Sequence, residues 1–199
     1  GYNQVNFSYA SQGYNYSMKV GDILNGATSG NAGDIEASNG NDISLQGFGL
    51  EYIRGFKVSK KYPMFVEAGV NFNFTFGKAF GMSSQHIGMN IPISYAYKFN
   101  IKDKFAIKPY VGIDFKVSLV GRSKEVDSDD DSEWGNWYSE EFNDPAWKRF
   151  NLGWHLGADF QYRRYNIGFA FTSDITKVAS NKYFKVSNNA FALKLGYTF

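Results

Sequence analysis

Cysteine is absent from this 199-residue chain, and proline occurs only four times. Without cysteine there is no disulfide framework and no thiolate for a metal centre or redox couple. An excess of one charge is also missing. The 21 basic and 19 acidic residues leave a formal net charge of +2, too small to mark a nucleic-acid surface. No run approaches 18 consecutive apolar residues, which excludes a transmembrane helix. No signal segment is visible at the start, where Gly1-Tyr2-Asn3 leads directly into strand-like sequence, so the chain reads as a mature form.

Aromatic residues, by contrast, make up 19% of the chain and glycine fills 21 positions, yet the mean hydropathy is −0.38. Strands in which only every second residue meets an apolar phase reconcile these values. The last ten residues show the pattern most clearly. Phe191, Leu193, Leu195, Tyr197 and Phe199 form one face, and Ala190, Ala192, Lys194, Gly196 and Thr198 the other. An apolar face that runs to the final carboxylate suits a strand in lipid better than a fraying terminus in water.

The same alternation recurs near Gln4–Ser17, Ser44–Val58, Tyr62–Phe76, Ile87–Phe99, Phe105–Leu119, Phe150–Tyr162 and Tyr165–Phe171. With the C-terminal strand this makes eight. The first is rich in Tyr and Asn and its register is open; Arg54 interrupts the apolar face of the second close to its turn. Short connections at Ser59–Lys61, Asn100–Lys104 and Arg163–Arg164 alternate with expected long ones at Met18–Ile43, Gly77–His86, Val120–Arg149 and Ser173–Asn189. The expected fold is all-β: an eight-stranded antiparallel up-and-down transmembrane β-barrel, one domain over residues 1–199. Short periplasmic turns, long extracellular loops and two periplasmic termini complete it. Tyr52, Phe56, Tyr62, Tyr95, Tyr97, Phe99, Phe160, Tyr162, Tyr165, Tyr197 and Phe199 cluster near the short turns and the C-terminus, as an interfacial girdle would.

If the apolar faces meet lipid, the opposite faces line the lumen. Glu51, Glu67, Asp114 and Asp159 then point inward with Lys98, Lys108, Lys116 and Lys194. Charges removed from water persist when paired, so a lumenal ion-pair network is expected. Eight strands enclose a space that side chains can fill, which favours a plugged interior over a conducting pore.

Other features have competing readings. Asp127, Asp129 and Asp131 match the first ligand positions of a calcium loop, but Ser132 replaces the required glycine and Tyr138 the closing glutamate. This is not an EF-hand; it is a solvated acidic tip or a weak divalent-cation site bridging to lipopolysaccharide phosphates. In the same loop, Trp134, Trp137, Tyr138, Phe142 and Trp147 read either as a contact surface for a protein or glycan or as rings folded onto the barrel rim. Neither His86 nor His155 has catalytic or zinc-type spacing around it, and both read as structural. The basic residues at the short turns read as solvated or as contacts for lipid phosphates or a periplasmic partner.

The terminal Leu195-Gly196-Tyr197-Thr198-Phe199, the alternating strands and the turn–loop order resemble the small outer-membrane β-barrel domain family. That group includes the OmpA transmembrane domain, OmpX-like proteins and the PorT-like small barrels of Bacteroidetes. The resemblance spans the chain and implies residence in the bacterial outer membrane, in contact with lipid and lipopolysaccharide. It also implies that Leu195, Tyr197 and Phe199 act as the signal read by the barrel-assembly machinery. No cofactor is implied. The leading functional expectation is a non-enzymatic barrel acting through its extracellular loops, as an accessory subunit of a larger outer-membrane complex or a surface-interaction protein. A lipid-A-modifying enzyme and a small solute channel are the alternatives.

Overall fold

The computed structural model describes residues 1–19, 36–37, 43–79, 82–102, 104–125, 134–138, 147–180 and 184–199. Eight long strands dominate these residues. They are β1 (Tyr2–Lys19), β2 (Ile43–Lys57), β3 (Met64–Ala79), β4 (Met82–Tyr97), β5 (Phe105–Glu125), β6 (Phe150–Tyr162), β7 (Tyr165–Asp174) and β8 (Phe184–Thr198). Each pairs antiparallel with the next, and β8 returns to pair with β1 from Gln4↔Thr198 to Met18↔Phe184. The sheet is therefore a closed meander. Closure satisfies the backbone groups of both would-be edges, the condition a sheet must meet to stand in hydrocarbon.

Burial is inverted relative to a water-soluble domain. Phe7, Leu50, Phe72, Val111, Leu156, Phe169 and Leu193 are exposed, whereas Gln4, Asn6, Glu51, Glu67, Lys108, Asp159 and Lys194 are buried. Register assembles the exterior into continuous apolar rows. Phe7 pairs with Leu50 and Leu50 with Phe72 on one side. On the other side Phe7 pairs with Leu195, Leu195 with Ile167 and Ile167 with Phe160. The open register of β1 is resolved: its even-numbered Gln4, Asn6 and Ser8 face inward. Arg54 stays on the outer face, its guanidinium 5.5 Å from the Phe56 ring centroid.

At the end holding both termini the connections are compact. The tightest, Arg163–Arg164, places Arg163 at φ 56°, a left-handed conformation that a two-residue hairpin demands. A short strand, Phe99–Lys102, folds against the start of β5 in another. At the opposite end, one expected long loop is corrected. Strands β3 and β4 run through Gly77–His86, pairing Lys78↔Ser83 and Ala79↔Met82, so only residues 80–81 connect them. Beyond the apolar belt the outer face turns polar, with Lys78 following Phe76 on β3 and Gln85 and Ser83 lying beyond Ile87 on β4. The period-2 contrast therefore fades while the ladder continues over a still-buried inner Ser84. The extension of β5 to Glu125 has the same origin.

Candidate functional site: the barrel lumen

The inward faces converge on the barrel axis, where charge and size decide the arrangement. Nearest the termini, Lys108 Nζ lies 2.6 Å from Glu67 Oε1 and 3.2 Å from Asp159 Oδ2. It also donates to Gln4 Oε1 at 2.9 Å and to the Tyr2 hydroxyl at 3.0 Å, and that hydroxyl donates to Glu67. Gln4 Nε2 donates to Asp159 and to Asn6 Oδ1, both at 2.9 Å. Asn6 Nδ2 donates to Glu51 at 2.7 Å, and Lys194 Nζ closes on the same carboxylate at 3.0 Å. With Asn166 donating to Asn6, this network ties together seven of the eight strands and crosses the lumen. Each carboxylate has a cation beside it, the condition under which buried charge is tolerated. Lys98 sits half-buried at this mouth, where burial and the nearby Lys108 charge lower its pKa.

Above this layer, Ser94 Oγ of β4 lies 2.8 Å from His155 Nε2 of β6. His155 Nδ1 lies 3.0 Å from Asp114 Oδ1 of β5, within ion-pair distance but out of hydrogen-bond alignment. Gly112 makes the approach possible, since a Cβ there would sit 2.7 Å from Ser94 Cα and 2.8 Å from His155 Cε1. Further up, Lys116 Nζ donates to Asp174 Oδ1 at 2.7 Å, and Asp174 Oδ2 accepts the Asn188 N–H at 2.8 Å. Asp174 falls within a stretch expected to be loop. Its parity with Asn166, Gly168, Ala170 and Thr172 was the available signal that β7 continues inward.

The loop end holds a cavity of about 130 Å³, bounded by these groups and by aromatic rings. Trp137 turns into the barrel mouth: it is buried, stacks on Trp147 at 4.8 Å and on His86 at 6.1 Å, and donates from Nε1 to Ser123 Oγ at 3.1 Å. Tyr138 is half-buried with the Arg149 guanidinium 4.3 Å above its ring. Burial raises the Tyr138 pKa above its ordinary 10.0, opposed by a hydrogen bond to Ser118 and by Arg149. Trp134 is more exposed, with Arg122 at 4.8 Å from its ring. Phe142 and the three aspartates Asp127, Asp129 and Asp131 lie outside the described residues.

Leu195, Tyr197 and Phe199 are on the outer face of β8. The last residue is tied in: Asn3 N donates to Phe199 O at 3.0 Å and Phe199 N to Asn3 O at 2.9 Å. Lys57, Lys60, Lys61, Lys104, Arg163 and Arg164 are exposed at the same end, and Arg164 donates to the Tyr197 hydroxyl at 3.2 Å.

A closed eight-stranded antiparallel barrel with an apolar exterior and a charged, packed interior defines a class: the small β-barrels whose surface is matched to a bilayer. No protein-family model and no curated protein sequence matches the chain. Among solved structures it is similar to Ail, the attachment invasion locus protein of Yersinia pestis, at 12% identity over 98% of each chain with a TM-score of 0.44. It is similar to Neisserial surface protein A at 14% identity, over 98% of this chain and 97% of that one, with a TM-score of 0.45. A third likeness is to the outer membrane enzyme PagL, at 11% identity over 95% and 97% of the two chains, with a TM-score of 0.46.

Proposed function

We propose that this chain is an integral outer-membrane barrel of the OmpA-transmembrane or OmpX-like kind, with periplasmic termini and a sealed lumen, that works at its extracellular loop end as an accessory subunit or surface-interaction protein. The observation that carries the reading is the charge layer built on Lys108, Glu67 and Asp159, which spans the lumen and joins Glu51 and Lys194 through Gln4 and Asn6. A lumen filled by paired, hydrogen-bonded side chains offers ions no continuous water path. That argues against the channel alternative and leaves the loop end, with its half-buried and exposed aromatic rings, as the working face. Lipid, lipopolysaccharide and, during biogenesis, the barrel-assembly machinery are its expected contacts. The test joins two measurements on protein extracted in mild detergent: native mass with identification of co-purifying chains, and conductance in planar bilayers. Steady single-channel currents from the wild-type protein would overturn the sealed-lumen reading. A lone monomer would remove the subunit role and leave surface interaction.

The enzymatic alternative has one observation in its favour, the proximity of Ser94, His155 and Asp114, with only the Ser94–His155 pair hydrogen-bonded. Against it, Ser94 pairs in the ladder with both Glu67 and Gly112, so the strand amides around it are committed and offer no oxyanion hole. A fluorophosphonate probe decides: a covalent adduct on Ser94 that disappears in His155→Gln would establish a serine hydrolase.

A further inference from the structure

Charge is distributed unevenly at the end of the barrel that holds both termini. Asp103 is the one acid in the three short connections and lies outside the described residues. The exposed Lys57, Lys60, Lys61, Lys104, Arg163 and Arg164 form no ion pair with any described residue. Two of these cations meet Lys98 at an open groove of about 500 Å³, in the size range of small-molecule sites. Backbone bonds set the arrangement. Arg163 N donates to Lys104 O at 2.8 Å, which fastens one turn to the next, and Gln161 Nε2 donates to Arg163 O at 2.9 Å. Register places Asn100 beside Ala106 and Ala106 beside Gln161, so two amides flank a small residue in one row. Exposed Ile101 and Phe105 supply the apolar part of the lining.

The lining decides the sign of an occupant. Among the described residues it contains Lys98, Lys104 and Arg163 and no carboxylate. Burial and the nearby Lys108 charge lower the Lys98 pKa, and an anion in the groove would offset both. Guanidinium, ammonium and amide donors together match the oxygens of a phosphate group. Depth decides its source. The Arg163 guanidinium stands 5.6 Å from the Tyr162 ring centroid, and Tyr162 packs against Phe105 at 4.7 Å. Aromatic rings of this kind mark headgroup level on a membrane barrel, so the cations sit at the depth of lipid phosphates. A zwitterionic headgroup would bring an ammonium group with no described carboxylate in the lining to meet it. A headgroup of net negative charge brings none.

We infer that this groove binds the phosphodiester headgroup of an acidic glycerophospholipid of the phosphatidylglycerol kind. Lys98, Lys104 and Arg163 hold the phosphate oxygens, and the acyl chains start over Phe105 and Ile101. The inference specifies one lipid contact of the proposed membrane barrel and is independent of its loop-end role. It rests on membrane residence, which the unfolding of an outer-face variant in vesicles checks separately.

The test uses the whole protein in a non-ionic detergent, titrated with phosphatidylglycerol or phosphatidylcholine of the same acyl chains and read by native mass spectrometry. One phosphatidylglycerol per chain should be retained, at a concentration about tenfold lower than phosphatidylcholine requires, since each cation near an anionic headgroup contributes about fivefold. Lys104→Gln combined with Arg163→Asn, an asparagine that tolerates the left-handed backbone, should abolish the preference. Lys60→Gln combined with Lys61→Gln removes the same charge from residues that do not line the groove and should leave the preference unchanged. Heat-modified gel mobility establishes that the variants are folded barrels, and Lys98→Gln with Lys104→Gln replaces the first pair if that pair does not fold. Equal retention of the two lipids by the wild-type protein overturns the proposal. A preference that both charge-loss pairs reduce equally belongs to a diffuse basic rim and overturns the groove. Inorganic phosphate bound as tightly as the lipid assigns the groove to a free anion. A co-purifying protein lost with Lys104 and Arg163, without any lipid preference, assigns it to a protein partner. Either result overturns the lipid assignment.

Discussion

Lys108→Met isolates the contribution of the lumenal charge layer. The lysine is 2.6 Å from Glu67 and 3.2 Å from Asp159. At an effective dielectric of about 20 these separations correspond to attractions of roughly 6 and 5 kcal/mol. Desolvation of the three ions, several kcal/mol each, and repulsion between the two carboxylates offset most of that. Methionine keeps the length of the side chain but removes the charge and the hydrogen bonds to Gln4 and Tyr2. Two carboxylates then share a buried site without a cation, and the expected loss is about 3–5 kcal/mol. Equilibrium urea unfolding in lipid vesicles, followed by tryptophan emission, measures it. The triple variant Lys108→Met, Glu67→Gln, Asp159→Asn removes all three charges and should recover most of the loss, since replacing a whole buried ion cluster is often close to neutral. A single-variant loss below about 1 kcal/mol, the size of an exposed salt bridge, would refute the reasoning and mean that water reaches the layer.

Leu50→Arg probes the exterior: Leu50 is 58% exposed, so in water the change should stay within about 0.5 kcal/mol, whereas near the middle of a bilayer it should cost about 2–4 kcal/mol. The same vesicle unfolding distinguishes the two. Gly112→Ala should destabilise by about 1–3 kcal/mol, because its Cβ would lie 2.1 Å from the Ile93 carbonyl oxygen, and a melt matching wild type would show that the Ser94–His155 approach has slack. Phe199→Ala should reduce the heat-modifiable barrel recovered from outer membranes several-fold at equal synthesis, if the C-terminal face is read during assembly; unchanged recovery would remove that role. Trp137→Phe should leave the fold intact but lower the unfolding free energy by about 1 kcal/mol through the lost bond to Ser123.

Alternation alone was enough to number the strands, place Glu51, Glu67, Lys108, Asp114, Lys116, Asp159 and Lys194 on inner faces, and orient Leu195, Tyr197 and Phe199 outward, because side-chain direction in a strand has period two and needs no tertiary knowledge. It could not mark where strands end outside the apolar belt. There the two faces stop differing in polarity, and Gly77–His86 read as loop although β3 and β4 are paired through most of it. Nor could it say which inner residues share a level. That depends on the stagger between strands, a property of the closed barrel. The tertiary structure alone therefore decided that Lys108 meets Glu67 and Asp159, that Lys116 takes Asp174, that Ser94 and Asp114 flank His155, and that Trp137 turns into the mouth over a polar chamber.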